Sequence, residues 1–280
     1  MDFKKFRELI LVEQTLFALP FAYLGILFAG RASVLTWLWV TIALAAARTA
    51  GMSFNRVIDA EIDAKNPRTR SRLVPQGKVR KKTVWLLAVV ASLILIGSSF
   101  MLNQLCFYLS FPAVALLFTY SYFKRFTSSS HLYLGFVEAA APIGGYLAVT
   151  GAFDVLPFLL GITIMTWIAG LDIVYAIQDM EFDKSEDLHS LPVFVGKDKA
   201  LLLSAWFYVI SIVCLAAAGY LTSRSIPFWI ALLCMAVIFI YQQMLARGMD
   251  VEGNIKKFFK ANMFISPILF LGTFIDVYFY

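Results

Sequence analysis

The sequence predicts an all-α polytopic membrane protein, with nine transmembrane helices around a central cavity and a single domain over residues 1–280. Three observations carry this. Of 280 residues, 60% are hydrophobic and only 15% charged, and the mean hydropathy is +0.77, too apolar for a domain that folds in water. Apolar windows of about 20 residues, the length that crosses a bilayer as helix, recur along the whole chain. The basic residues are also sorted by side: of 24 Lys and Arg, 20 lie at the N-terminus and in alternate loops, Arg31 and Arg224 lie in the other loops, and Arg48 and Arg56 lie within the second span.

In order, the windows are 11–29, 34–56, 83–102, 105–123, 131–150, 155–178, 200–221, 226–245 and 261–279. Residues 2–10 place Phe3, Phe6, Leu9 and Ile10 at helical spacing with Lys4 and Lys5 between them, which reads either as an interfacial helix or as a flexible tail. No small-residue cleavage site follows this basic stretch, so the first window is expected to be a span and not a cleaved signal. Lys and Arg are retained on the cytoplasmic side. The N-terminus is therefore expected inside and the C-terminus outside, with the bacterial inner membrane the expected location. A count of eight or ten spans would scramble the basic loops between the two faces. The formal charge of +6 suits anionic lipid headgroups and phosphate esters, with no nucleic acid among the expected partners. Cys106, Cys214 and Cys234 fall singly in apolar segments and read as small core residues, without disulfide or zinc spacing.

Against this apolar background the polar residues near span ends stand out, because charge at membrane depth is costly and usually functional. Arg48, Asn55, Asp59 and Asp63 close the second span, and a basic loop over 65–82 follows. Asp172, Tyr175, Asp179 and Asp183 close the sixth, followed by a second polar segment to 199. Steps of four residues turn an α-helix by about 400°, so Asn55, Asp59 and Asp63 project to one side, as do Tyr175, Asp179 and Asp183. Arg48 shares that face, about 10 Å deeper than Asn55 by helical rise. Both acidic sets fall at the same membrane face, and Asp59 and Asp179 are 120 residues apart. This spacing points to two four-helix units related by an axis along the membrane normal, plus a ninth helix, with spans 2 and 6 facing each other. Four carboxylates gathered at one face repel unless a hard cation joins them. Mg²⁺ takes one or two carboxylates and keeps positions for a substrate phosphate, and the Asn55 amide oxygen can add a neutral ligand. The basic residues fit the same site: Arg68, Arg70, Arg72, Lys124 and Arg125 can meet diphosphate oxygens.

The stretch MSFNRVIDAEIDAKNPRTRSRLVPQGKV (52–79) resembles the first signature of the UbiA superfamily of intramembrane aromatic prenyltransferases, and DIVYAIQDMEFDKSEDLHSLPVFVGK (172–197) resembles the second. The Tyr-Ala-x-Gln-Asp core and the Leu-His-Ser-Leu-Pro that follows are most similar to the 4-hydroxybenzoate polyprenyltransferase-like branch. The resemblance implies Mg²⁺-dependent transfer of a polyprenyl group from polyprenyl diphosphate to an aromatic acid such as 4-hydroxybenzoate, in respiratory quinone biosynthesis. A menaquinone precursor is the alternative acceptor. It further implies that Asn55, Asp59, Asp63, Asp179 and Asp183 hold Mg²⁺ and the diphosphate. Arg48 corresponds to the position implicated in acceptor binding. Tyr120 and Lys124 match a Tyr-x-x-x-Lys near the diphosphate, and Arg68 and Arg72 match basic positions of the first cap. One departure is Arg56, where many members carry Asp.

In such chemistry the cations stabilise charge developing on the diphosphate as the allylic C1–O bond breaks. A water-free cavity protects the allylic cation, and an aromatic face such as Tyr175 can stabilise it. Three single residues read less sharply: His189 as structural, His131 as interfacial, and Glu138 as an interhelical hydrogen bond to a partner such as tyrosine. A secondary transporter would place its charges near the midplane, a magnesium channel would lack an apolar lateral cavity, and the CDP-alcohol phosphotransferase signature is absent.

Overall fold

The computed structural model describes residues 2–248 and 251–280, and every regular element among them is helical. The helices are α1 (Phe3–Ile10), α2 (Val12–Ala29), α3 (Val34–Ile58), α4 (Ala60–Lys65), α5 (Lys81–Leu102), α6 (Gln104–Phe123), α7 (Ser130–Thr150), α8 (Val155–Ala176), α9 (Met180–Ser185), α10 (Leu191–Val195), α11 (Lys197–Leu221), α12 (Ile226–Arg247) and α13 (Val251–Phe279). Among the described residues, eight helices are long and apolar enough to cross a bilayer. The bent pair Phe3–Ile10 and Thr15–Ala29 makes a ninth if it counts as one span. The chain is an integral membrane protein. The last helix starts ten residues before the apolar window did, because Lys256, Lys257 and Lys260 extend it as a polar turn that a hydropathy window rejects.

Side-chain size sorts the faces. On α5, Leu86, Val89, Val90, Leu93, Ile94 and Phe100 are exposed at helical spacing, whereas Ala88, Ala91, Ser92, Ser98 and Ser99 are buried. Lipid solvates the large apolar groups as well as protein does, so small residues gain the inside positions by letting backbones approach. The α2–α7 contact is the extreme case. A Cβ on Gly25 would lie 2.0 Å from the Pro142 carbonyl oxygen, and one on Gly145 would lie 2.0 Å from that of Ala22. Gly145→Val therefore has to push two backbones apart, at about 3 kcal/mol. A thermal midpoint in detergent equal to wild type would contradict this.

The helices close a circuit. α3 packs on α5 and α6, α6 on α7, α7 on α8, α8 on α11, α11 on α12, α12 on α13, and α13 on α2, which returns to α3 and crosses to α7. The order α3–α5–α6 in the first half recurs as α8–α11–α12 in the second, and α2 and α7, the first helix of each half, meet in the middle. α3 and α8 do not pack along their length.

Loops alternate between two ends. At the end without the acidic sets, Arg224 donates to the Leu27 carbonyl (2.8 Å) and Asn103 to that of Leu147 (2.8 Å). Asp276 accepts from Arg224 there, joining the loop before α12 to α13 in a pair whose side chains are 9% and 5% exposed. At the acidic end, residues 2–10 form a helix capped by Asp2, whose carboxylate accepts from the Lys5 amide (2.8 Å). Leu9 and Ile10 pack there on Val57 of α3 and on Leu73, Val74 and Val79 of the 66–80 segment. Arg56 is buried and donates to the Leu9 carbonyl (3.3 Å), so the residue that departs from the family pattern ties α1 to α3.

Candidate active site

Both acidic sets sit on broken helix ends. α3 stops at Asp59, whose φ and ψ are −89° and 1°, before α4 restarts. α8 passes through a 3₁₀ turn over Ile177–Asp179, and Asp179 has φ −101° and ψ 5° before α9 restarts. The four-residue spacing predicts one continuous helix through each series. The structure corrects this: both leading aspartates occupy the sparsely populated bridge region, where site residues concentrate. The Asp59 amide still bonds to the Asn55 carbonyl (2.9 Å) and that of Asp63 to the Asp59 carbonyl (2.8 Å), so the four-residue step survives the break.

Each of three carboxylates holds a basic residue. Asp59, 2% exposed, accepts from Lys124 Nζ (2.8 Å) and Asn55 Nδ2 (2.7 Å), with Arg125 3.7 Å away. Asp63, also buried, has Arg72 Nη1 at 2.8 and 2.7 Å from its two oxygens. Asp179 takes Arg68 as a fork, with Nε on Oδ1 at 3.0 Å and Nη2 on Oδ2. Such forks join charge and planar geometry. Burial alone would lower the pKa of Arg68, but its bonds to Asp179 and to the Tyr175 hydroxyl, with the Asp179 charge, outweigh it and raise the value.

The pair Arg68–Asp179 is also where the two halves meet. Asn66 Nδ2 donates to Asp179 (3.3 Å), Lys65 to Glu186 (2.5 Å), and Arg68 reaches the Tyr175 hydroxyl while its Cζ lies 4.6 Å from that ring's centroid. The second acidic set is therefore reached by the loop after α4, which follows the first, and not by packing of α3 on α8. Asp183 lies one turn beyond Asp179 on α9, half-buried, with its carbonyl taking the Leu188 amide (2.8 Å). Tyr120, one turn before Lys124 on α6, points its hydroxyl at the Gly51 carbonyl (3.4 Å). Arg70 is exposed.

Deeper on α3, Arg48 forms an ion pair with Glu138 of α7. This replaces the tyrosine expected for Glu138. His131, in the first turn of α7, is buried, with Nδ1 2.7 Å from Asp172 and Nε2 accepting from the Leu191 amide (3.2 Å). An accepting Nε2 leaves the proton on Nδ1, which donates to Asp172. His189 contributes its amide to the Lys124 carbonyl (2.8 Å), a structural role. Sequence reasoning missed Asn66 and Ser121, which accepts from Asn55 (3.1 Å). For Asn66 the signal was an amide directly before Pro67 in the basic loop; for Ser121 there was none.

A divalent ion fits the chemistry of this donor set. All the donors are hard oxygens, both observed Asn55 side-chain bonds use its nitrogen and not its carbonyl oxygen, and the buried Asp59 Oδ1 has no hydrogen-bond partner. Among the described residues no three acidic, histidine or cysteine side chains are gathered tightly enough to hold an ion as they stand.

The model of the UbiA prenyltransferase family matches residues 18–268. The chain belongs to this family. It is a prenyltransferase, which sets aside the transporter and channel alternatives. A 4-hydroxybenzoate octaprenyltransferase of Tolumonas auensis is 30% identical over 272 residues, covering 96% of this chain and 92% of that protein. One of Aeromonas hydrophila is 27% identical over 273 residues, covering 98% and 93%. The solved structure of a UbiA homologue from Aeropyrum pernix K1 superposes with a TM-score of 0.87 at 30% identity, covering 94% of this chain and 98% of that one. A UbiA homologue from Archaeoglobus fulgidus bound to DMAPP and Mg²⁺ shares the fold at 18% identity, with a TM-score of 0.75 and coverage of 99% and 100%.

Proposed function

We propose that this UbiA family member transfers a polyprenyl group from polyprenyl diphosphate to an aromatic acid of the 4-hydroxybenzoate kind, with Mg²⁺, in respiratory quinone biosynthesis. The observation that carries this reading is the link between the segment after the first acidic helix end and the second acidic set: Asn66 and Arg68, which follow Asp63 in the chain, both donate to Asp179. The names of the relatives from Tolumonas and Aeromonas supply the acceptor class, and the Archaeoglobus homologues bound to DMAPP or GPP and Mg²⁺ supply the donor class.

Asp59, Asp63, Asp179, Asp183 and the Asn55 oxygen would hold the metal. Bound Mg²⁺ supplies neutralisation of the charge that develops on the diphosphate as the allylic C1–O bond breaks. Arg68, Arg72 and Lys124, now paired with those carboxylates, are the groups that turn to the diphosphate oxygens, with Tyr120 behind Lys124 on the same helix. The Tyr175 ring, which already accepts a guanidinium on its face, stabilises the allylic cation in the same way. Arg48 takes the acceptor carboxylate on the deeper side, so the electron-rich ring lies inward of C1. The ring carbon bonds to C1, and its proton leaves to a carboxylate or to the released diphosphate. Surrounding helices exclude water from the cation, and the prenyl tail extends into lipid. The charge bias puts the N-terminus and both polar segments (48–82 and 172–199) on the cytoplasmic side and the C-terminus outside, in the bacterial inner membrane.

Membranes containing the protein, given a labelled prenyl diphosphate and a panel of phenolic and naphthoic acids, should prenylate 4-hydroxybenzoate and lose that activity on chelation with EDTA. Labelling of the naphthoic acids alone would shift the reading to a menaquinone precursor, and labelling of none would overturn it.

A further inference from the structure

Below the acidic sets lies a second polar tier that the reaction outlined above does not use in full. His131 and Glu138 are seven residues apart on α7, which puts them about 20° apart on one face of that helix. His131 reaches Asp172 on α8, and Glu138 reaches Arg48 on α3. α7 thus supplies one partner to a charged residue on each of the two acid-bearing helices. The Arg48–Glu138 pair matters most, because Arg48 is the group assigned to the acceptor carboxylate. Both side chains are only 17% exposed.

An aromatic carboxylate arriving at Arg48 meets a guanidinium already neutralised by Glu138. Arg has enough N–H donors to bond both acids at once. Charge does not divide in the same way: a second carboxylate beside Glu138 is repelled by it, and the interior screens that repulsion poorly. An uncharged acceptor of the same shape suffers no such repulsion. α7 cannot relieve the conflict by moving, because Gly145 and Pro142 lie in backbone contact with α2, and a Cβ on Gly135 would lie 2.2 Å from the Met165 carbonyl oxygen of α8. Relief has to come from rotation of the Glu138 side chain away from Arg48.

We infer that Glu138 is the specificity-determining residue of the acceptor site: it competes with the acceptor's carboxylate for Arg48, and so holds down affinity for aromatic acids relative to uncharged phenols of the same size. This rests on the acceptor role given to Arg48 above. The test measures KM for 4-hydroxybenzoate and for 4-hydroxybenzamide, at saturating prenyl diphosphate, in wild type, Glu138→Gln and Glu138→Met. Removing the charge should lower KM for the acid about tenfold and leave that for the amide within about twofold, so the ratio of the two is the readout. KM for the prenyl diphosphate, unchanged in both variants, reports an intact fold, and the Met variant replaces the Gln one should the latter fail to accumulate. An unchanged acid KM in an active variant overturns the inference. So does a raised acid KM, which would make Glu138 a positioning residue for Arg48, or a parallel change for acid and amide, which would make the effect structural. A wild type that prenylates neither compound overturns the functional reading, and this inference with it.

Discussion

Asp59→Asn and Asp179→Asn should each lower kcat/KM for Mg²⁺-dependent prenyl transfer by roughly 10²–10³-fold. Asparagine keeps the size of the side chain and one oxygen but removes the charge that holds a metal ion and, in the structure as it stands, the partner of Lys124 or Arg68. The two variants should differ in stability. Asp59 is 2% exposed and accepts from both Asn55 and Lys124, so its substitution disturbs two hydrogen bonds at a buried position, while the freed Lys124, whose side chain is 33% exposed, turns to water. Asp179 is half-buried, and Arg68 keeps its contact with the Tyr175 ring, so that variant should accumulate nearly as wild type. Transfer of labelled prenyl groups in membranes, normalised to folded protein, separates the effects. Near-full activity in either normalised variant would remove that aspartate from the site.

Arg48→Ala is the second large effect. A hydrogen bond to a charged group contributes about 1.5–3 kcal/mol, so loss of the anchor should raise KM for an aromatic acid at least about tenfold while KM for the prenyl diphosphate stays within about twofold. Equal rises for the two substrates would show that Arg48 supports the site as a whole and does not bind the acceptor. Glu138 is stranded in this variant, so Arg48→Ala combined with Glu138→Gln should regain stability without regaining affinity for the acid. That combination distinguishes a lost ligand contact from an unpaired buried carboxylate.

Much of the site was legible before any fold was known, and for definite reasons. Asn55, Asp59 and Asp63, like Tyr175, Asp179 and Asp183, are spaced by four, and charge at the end of an apolar span is rare enough to be noticed. The partners of these acids were less legible. Arg68 and Lys124 are expected from sequence to face a diphosphate, yet here each pairs with a carboxylate, a contact across 111 and 65 residues that local spacing does not record. The break at Asp59 and the 3₁₀ turn before Met180 leave no mark in periodicity, since the four-residue step continues across both.

Span number, the sorting of charged loops, the placement of both acidic sets at the same end and the depth of Arg48 all follow from local composition and helical geometry, because a bilayer imposes one length and one sign rule on every segment. Pairings across long sequence distances do not. Arg48 finds Glu138 ninety residues away, and His131 finds Asp172 across a helix pair. Those contacts depend on how closely α2 and α7 approach at Gly25 and Gly145, and on where α7 therefore comes to lie between α3 and α8. Close packing of small residues is a property of two surfaces fitted together, and no single segment records its partner.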